Sequence, residues 1–106
     1  MEIVPAFVKR TITPVEGVPG AFVRSLNGHE IKKFMVDCKA AEAVGDAKNV
    51  IVVYALVNLS TCTDDGRRVW DDSELNATTD TPIATATAIF EAAMTLNQIN
   101  EKKAAS

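Results

Sequence analysis

Eight consecutive apolar residues, Val50-Ile51-Val52-Val53-Tyr54-Ala55-Leu56-Val57, limit how this chain folds more than any other stretch. A run with no polar alternation has no side to turn to water, so it must be covered all round. Propensity alone favours a strand, because Val50 to Val53 are all β-branched. Length argues the other way. From about Lys48 to Thr61 the segment outlasts the ~10 residues within which most strands end, and a buried helix is expected. The run leads into a polar turn, Asp64-Asp65-Gly66-Arg67-Arg68, then the lone tryptophan at Val69-Trp70. A helix-start signal follows at Asp71-Asp72-Ser73-Glu74-Leu75.

Covering such a helix takes further elements on either side. Ala6 to Thr13 alternates in part, Pro14 and Gly17-Val18-Pro19-Gly20 break it, and Ala21 to Leu26 resumes a strand-like pattern. Phe22, Arg24 and Leu26 share one face of that second stretch; Ala21, Val23 and Ser25 share the other. The pattern is a β-hairpin over 1–26, which must lean on helices or a partner, since an isolated hairpin is marginal in water. Asn27 is placed to cap a helix with Glu30 at its third position, a capping box, and Leu26 with Ile31 suits a hydrophobic staple. Ile31, Phe34, Met35, Cys38 and Ala41 recur on one face, and Gly45 is a natural stop. Asp71 with Glu74 repeats the capping pattern for a short helix through Leu75. In the last helix Thr81 is expected to cap and Pro82 to open the first turn. Its inner face is expected to carry Ile83, Ala86, Phe90, Ala93, Met94 and Asn97, to about Asn100, with a frayed tail over 101–106. The expected fold is mainly α (α+β): an N-terminal β-hairpin and three to four helices in one small domain, 1–106, with 27–100 helical.

A chain of 106 residues buries roughly 60–70% of its extended surface, which suffices for one core. With only six aromatic residues, that core is expected to be small and β-branched, anchored by Phe7, Phe22, Phe34, Tyr54, Trp70 and Phe90. The net charge is −3, and the basic pairs Lys32-Lys33, Arg67-Arg68 and Lys102-Lys103 are isolated. Nucleic-acid binding requires a clustered basic face, so none is expected. No apolar run of about 20 residues spans a membrane, and the N-terminus lacks the order of a signal peptide; a cytoplasmic location is expected. Cys38 and Cys62 suit a reducing compartment as small thiols, and a bridge between them is left open.

Catalytic chemistry finds little support. His29 is the only histidine, and no serine or cysteine stands at a nucleophile's signature spacing, so a solvent-facing first-turn residue is expected. A calcium loop with Gly66 sixth puts Thr61 first and Asp72 twelfth, with Arg67 and Arg68 adverse inside it. A tight turn with Gly66 at positive φ is the simpler reading. Two cysteines are too few for zinc, and the Gly17–Gly20 loop lacks the lysine of a phosphate loop. No enzyme, metal or cofactor is expected. Trp70 suits either the core or an interaction surface, and the core is favoured.

The order of these parts resembles the tail assembly chaperones of long-tailed, siphovirus-type bacteriophages. Asp64, Asp65, Gly66 and Arg67 stand for that family's acidic-Gly-basic turn, Trp70 for the residue that follows, and Asp71 and Leu75 for its short acidic helix. Phe90 lies in the closing helix, and Leu96 and Asn97 form its terminal Leu-Asn pair. The threonine-rich stretch Thr78 to Thr87 departs from the family's Ala/Leu-rich pattern. The resemblance implies a non-enzymatic protein that binds the tape measure protein, keeps its apolar helices soluble and recruits tail tube subunits. It also implies self-association as an oligomer or spiral, residence in the host cell cytoplasm and absence from the mature virion. The physical counterpart is helix-in-groove binding on apolar faces of the first and last helices. Two other readings are a structural virion component (a small tail tube or head–tail connector protein) and a regulatory protein-binding module unrelated to phage.

Overall fold

A computed structural model describes residues 10–45 and 50–98. Phe7, the start of the Ala6–Thr13 stretch, Lys48, Asn100 and the Lys102-Lys103 tail lie outside the described residues. Among these residues the fold is α+β: an antiparallel sheet in the order β1-β2-β3, with four α-helices.

The hairpin is formed by β1 (Ile12–Pro14) and β2 (Phe22–Arg24), in register Ile12↔Arg24, Thr13↔Val23 and Pro14↔Phe22. Pro14 thus pairs within β1 instead of ending it, which an edge position allows because its missing N–H faces away from the ladder. Val15 N donates to Ala21 O at 2.9 Å and closes the loop. Helix α1 (Gly28–Ala43) begins with the capping box read from the sequence: Glu30 N donates to Asn27 Oδ1 and Asn27 N to Glu30 Oε1, both at 3.0 Å. Gly45, at φ 74°, follows its end. Phe34 and Ala41 are buried and Ile31 and Cys38 half-buried, but Met35 is exposed. That corrects its place on the inner face. Phe34 and Cys38 are the side chains α1 sends into the core, and Met35 falls to the outer side.

The apolar run is a helix, α2 (Val50–Ser60), buried continuously from Val53 to Ser60. Both α1 and α4 (Ile83–Leu96) pack on it. Without a linker the chain passes into β3 (Thr61–Cys62), a strand the sequence reading did not include, paired with β2 as Phe22↔Cys62 and Val23↔Thr61. A 3₁₀ turn (Asp72–Glu74) and α3 (Leu75–Thr78) carry the short helix three residues past its expected end at Leu75.

Helix α4 departs from expectation at both ends. Pro82, extended at φ −55° and ψ 143°, is the cap, and no side chain caps the helix. Thr81 is not the cap: its carbonyl accepts from Tyr54 Oη at 2.7 Å, which holds it against α2. The helix ends at Leu96, since Gln98 takes a left-handed φ of 55°. Ala86, Ile89 and Ala93 form its buried line, while Ile83 in the first turn is exposed. The core is chiefly Val, Ala and Leu with Phe34 and Tyr54; Phe22, Trp70 and Phe90 are half-buried. Cys38 and Cys62 are free thiols.

Candidate interaction surface

The motif after α2 is a miniature hairpin. Cys62 bridges to Arg68, Val69 N donates to Thr61 O at 3.1 Å, and Thr63 N to Arg67 O at 2.8 Å. Gly66 closes the turn at φ 89°, a conformation that disfavours any residue with a Cβ. The Thr63 hydroxyl donates to Asp65 Oδ1, and Arg67 Nη2 lies 3.4 Å from Asp65 Oδ2. The hydroxyl bond first, then the Arg67 backbone and guanidinium, hold the Asp65 carboxyl below its ordinary pKa. Asp64, Asp65 and Arg67 are exposed at the tip, where Asp65 is satisfied by Thr63 and Arg67.

Arg68, next to the exposed Arg67, turns inward. Its Nη2 donates to Asn58 O at 3.1 Å and Asn58 Oδ1 at 2.9 Å, and its Nη1 to Asp72 Oδ1 at 2.9 Å. Asn58, buried in α2, also donates to Asp71 O at 2.9 Å and Thr78 Oγ1 at 3.1 Å. One amide thus straps the 68–78 segment to the helix. The strap also presents Asp71 as a cap: its Oδ1 accepts from Ser73 N, and Asp71 N donates to Glu74 Oε1 at 3.0 Å. The Ser73 hydroxyl draws the Asp71 carboxyl below its ordinary pKa. A lone amide inside an apolar run signals such a role, because a buried polar group must find partners.

A second inward arginine was likewise unexpected. Arg24, on β2, is buried; its Nε and Nη2 donate to Leu59 O at 3.1 and 3.0 Å, and Nη2 meets Glu30 Oε2 at 2.5 Å. Glu30 also takes Arg10 Nη1. Burial pushes the Glu30 carboxyl up, but the Arg10 hydrogen bond, the Asn27 N–H and the charge of Arg24 together leave it below its ordinary pKa.

Of the ten residues singled out from the sequence, Trp70, Phe90 and Leu96 pack against the core. Asn97 is also internal: Leu26 N donates to its Oδ1 at 2.7 Å, and its Nδ2 donates to Ala93 O at 2.9 Å. Asp71 is a cap and Gly66 a turn former. Asp64, Asp65, Arg67 and Leu75 stand exposed. The first and last helices, whose apolar faces are expected to form a binding groove, both pack on α2. Exposed apolar side chains sit instead on the outer side of α1 (Met35, Val36) and along Val69, Leu75 and Ile83.

His29 is exposed in the first turn of α1. Among the described residues no cluster of three His, Cys, Asp or Glu side chains is placed to hold a metal ion, and no helix is long and apolar enough to cross a membrane. No family model, curated protein or solved structure matches the chain.

Proposed function

We propose that this chain is a tail assembly chaperone of a long-tailed phage. In this role it binds the tape measure protein in the host cell cytoplasm, keeps its apolar helices soluble, recruits tail tube subunits and leaves before the virion is complete. The observation that carries the reading is the order of parts from Val50 to Leu75: apolar helix, Asp-Asp-Gly-Arg turn, Trp70, then a capped acidic helix bound back onto α2 through Asn58. The α-rich body behind an N-terminal hairpin is compatible with it. Exposed Met35 and Val36 offer apolar surface of the kind an amphipathic helix covers.

Co-expression with the tape measure protein encoded beside it tests the role. Soluble recovery of that protein only in the presence of this chain is the expected result. Failure to form a complex, with the chain found instead in purified virions, selects the structural-component reading.

A further inference from the structure

Asn27 alone among the asparagines precedes a glycine. The pair sits where α1 begins, and both residues are exposed. An asparagine before glycine can react with its own backbone, because no side chain shields the next amide nitrogen. A Cβ built on Gly28 meets nothing within 4 Å, so the space beside that nitrogen is open. Gly28 is also the first residue of α1, where a backbone N–H has no intrahelical acceptor.

The capping box opposes the reaction. Asn27 Oδ1 accepts from Glu30 N and Asn27 N donates to Glu30 Oε1, both at 3.0 Å, while Asn27 O accepts from Ile31 N. Asn27 is thereby held extended, at ψ 176°. Ring closure requires the Gly28 nitrogen to eclipse Asn27 Cβ, whereas an extended ψ leaves the two staggered. Glu30 is also more than a cap partner. The same carboxylate meets Arg10 and Arg24, and Arg24 reaches Leu59 O at the end of α2.

We propose that Asn27-Gly28 is a self-modification site gated by the capping box of α1. When the box opens, the Gly28 nitrogen gives its proton to water or hydroxide and attacks Asn27 Cγ. The new N–Cγ bond displaces the side-chain amide nitrogen, which takes up a proton and leaves as ammonia. Water then opens the resulting five-membered succinimide at one of its two carbonyls. Cleavage at Cγ gives aspartate at position 27. Cleavage at the main-chain carbonyl gives isoaspartate, in which the chain runs through the side chain and is one methylene longer. No electron is transferred, and only water is consumed. The two products differ in effect. Aspartate keeps an oxygen for Glu30 N, caps as well as asparagine does, and adds favourable charge at the helix N-terminus. Isoaspartate displaces that acceptor, and with it a partner that holds Glu30 against Arg10 and Arg24. A change at an exposed turn is thus felt at the buried arginine that closes α2. This site does not depend on the tail-assembly role, and its failure leaves that role untouched.

Ageing the purified chain in mildly alkaline buffer, with and without unfolding guanidinium chloride, tests it. Peptide mapping by mass spectrometry measures aspartate and isoaspartate at position 27. Conversion is expected to run at least about fivefold slower in the folded chain, the factor that one helix cap supplies. Gly28→Ala should keep the wild-type circular dichroism and nearly abolish conversion in both solvents. Folded chain enriched in isoaspartate should show a lowered Tm, whereas Asn27→Asp should keep the wild-type Tm. Equal rates in the two solvents, Asn27 intact in the unfolded chain, or isoaspartate at an unchanged Tm would each overturn the proposal.

Discussion

Arg24 and Arg68 donate to adjacent carbonyls, Leu59 O and Asn58 O, in the last turn of α2. The two carbonyls before them are met by nearby hydroxyls: Ser60 Oγ donates to Leu56 O and Thr61 Oγ1 to Val57 O, both at 2.6 Å. A helix end leaves its final carbonyls without partners and carries partial negative charge. No basic residue lies in the last turn of α2 itself. Two guanidiniums, 35 residues upstream of Leu59 and 10 downstream of Asn58, fill that place.

Arg24→Met should cost roughly 2–3 kcal/mol in urea unfolding. Removing one member of a fully buried pair costs about 3–5 kcal/mol, but Glu30 keeps Arg10 and some solvent. The substitution leaves Leu59 O without its guanidinium, so Arg24→Lys should restore only part of the loss.

Stability should fall in acid through Glu30. Its folded pKa lies below the unfolded value of about 4.3, so its contribution is complete above that value and is lost as pH falls through the folded one. Glu30→Gln should flatten the acid limb of a stability–pH curve in part, because Asp65 and Asp71 share the sign of the shift. An unchanged acid limb would count against the Arg10–Glu30–Arg24 arrangement.

Asn58→Leu should destabilise by about 2–3 kcal/mol despite its apolar surroundings, because it removes one of the acceptors of Arg68 and the amide donor to Asp71 O and to the buried Thr78 Oγ1. With the bonds to Asp71 O and Thr78 Oγ1 gone, Trp70 fluorescence in the native state should shift to the red. Native emission identical to wild type would show that the strap does not hold Trp70.

At Gly66 two penalties can be separated. An added Cβ meets Ile12 Cδ1 at 2.8 Å, and φ of 89° disfavours any L side chain. Gly66→Ala should cost about 1–2 kcal/mol. Ile12→Val in the same chain should relieve the clash alone, so a complete rescue would assign the cost to Ile12 and none to the backbone.

Length and capping chemistry made much of the fold legible. The Val50 run is a helix despite its β-branched and partly exposed start, because unbroken burial from Val53 to Ser60 outweighs a propensity difference of tenths of a kcal/mol per residue. Asn27 with Glu30 and Asp71 with Glu74 cap as their spacing implies. Strand β3 was not legible, because two residues show no period and Thr61 belongs equally to the apolar run before it. Nor was Arg24: alternation assigns it a face of β2, but only tertiary packing brings the end of α2 against that face. Arg67 and Arg68 are indistinguishable as a pair in sequence; the Cys62–Arg68 bridge turns one inward and leaves the other at the tip. Thr81 resembles a cap, yet the Tyr54 hydroxyl claims its carbonyl and the helix starts beyond it.

Closure of α2 by arginines from both directions along the chain bears on the order in which the protein folds. As the chain leaves the ribosome, the apolar helix is synthesised before Arg68 exists, and its C-terminal turn then has only Arg24 and the local hydroxyls to complete it. The N-terminal hairpin is already made by then and can dock first. The helix gains its second guanidinium only after the next eight residues have emerged past Ser60. Contacts of such sequence separation form late and together, which favours an all-or-none transition over a stable isolated helix. A nascent chain stopped shortly after Ser60 should therefore engage holding factors that the finished protein does not.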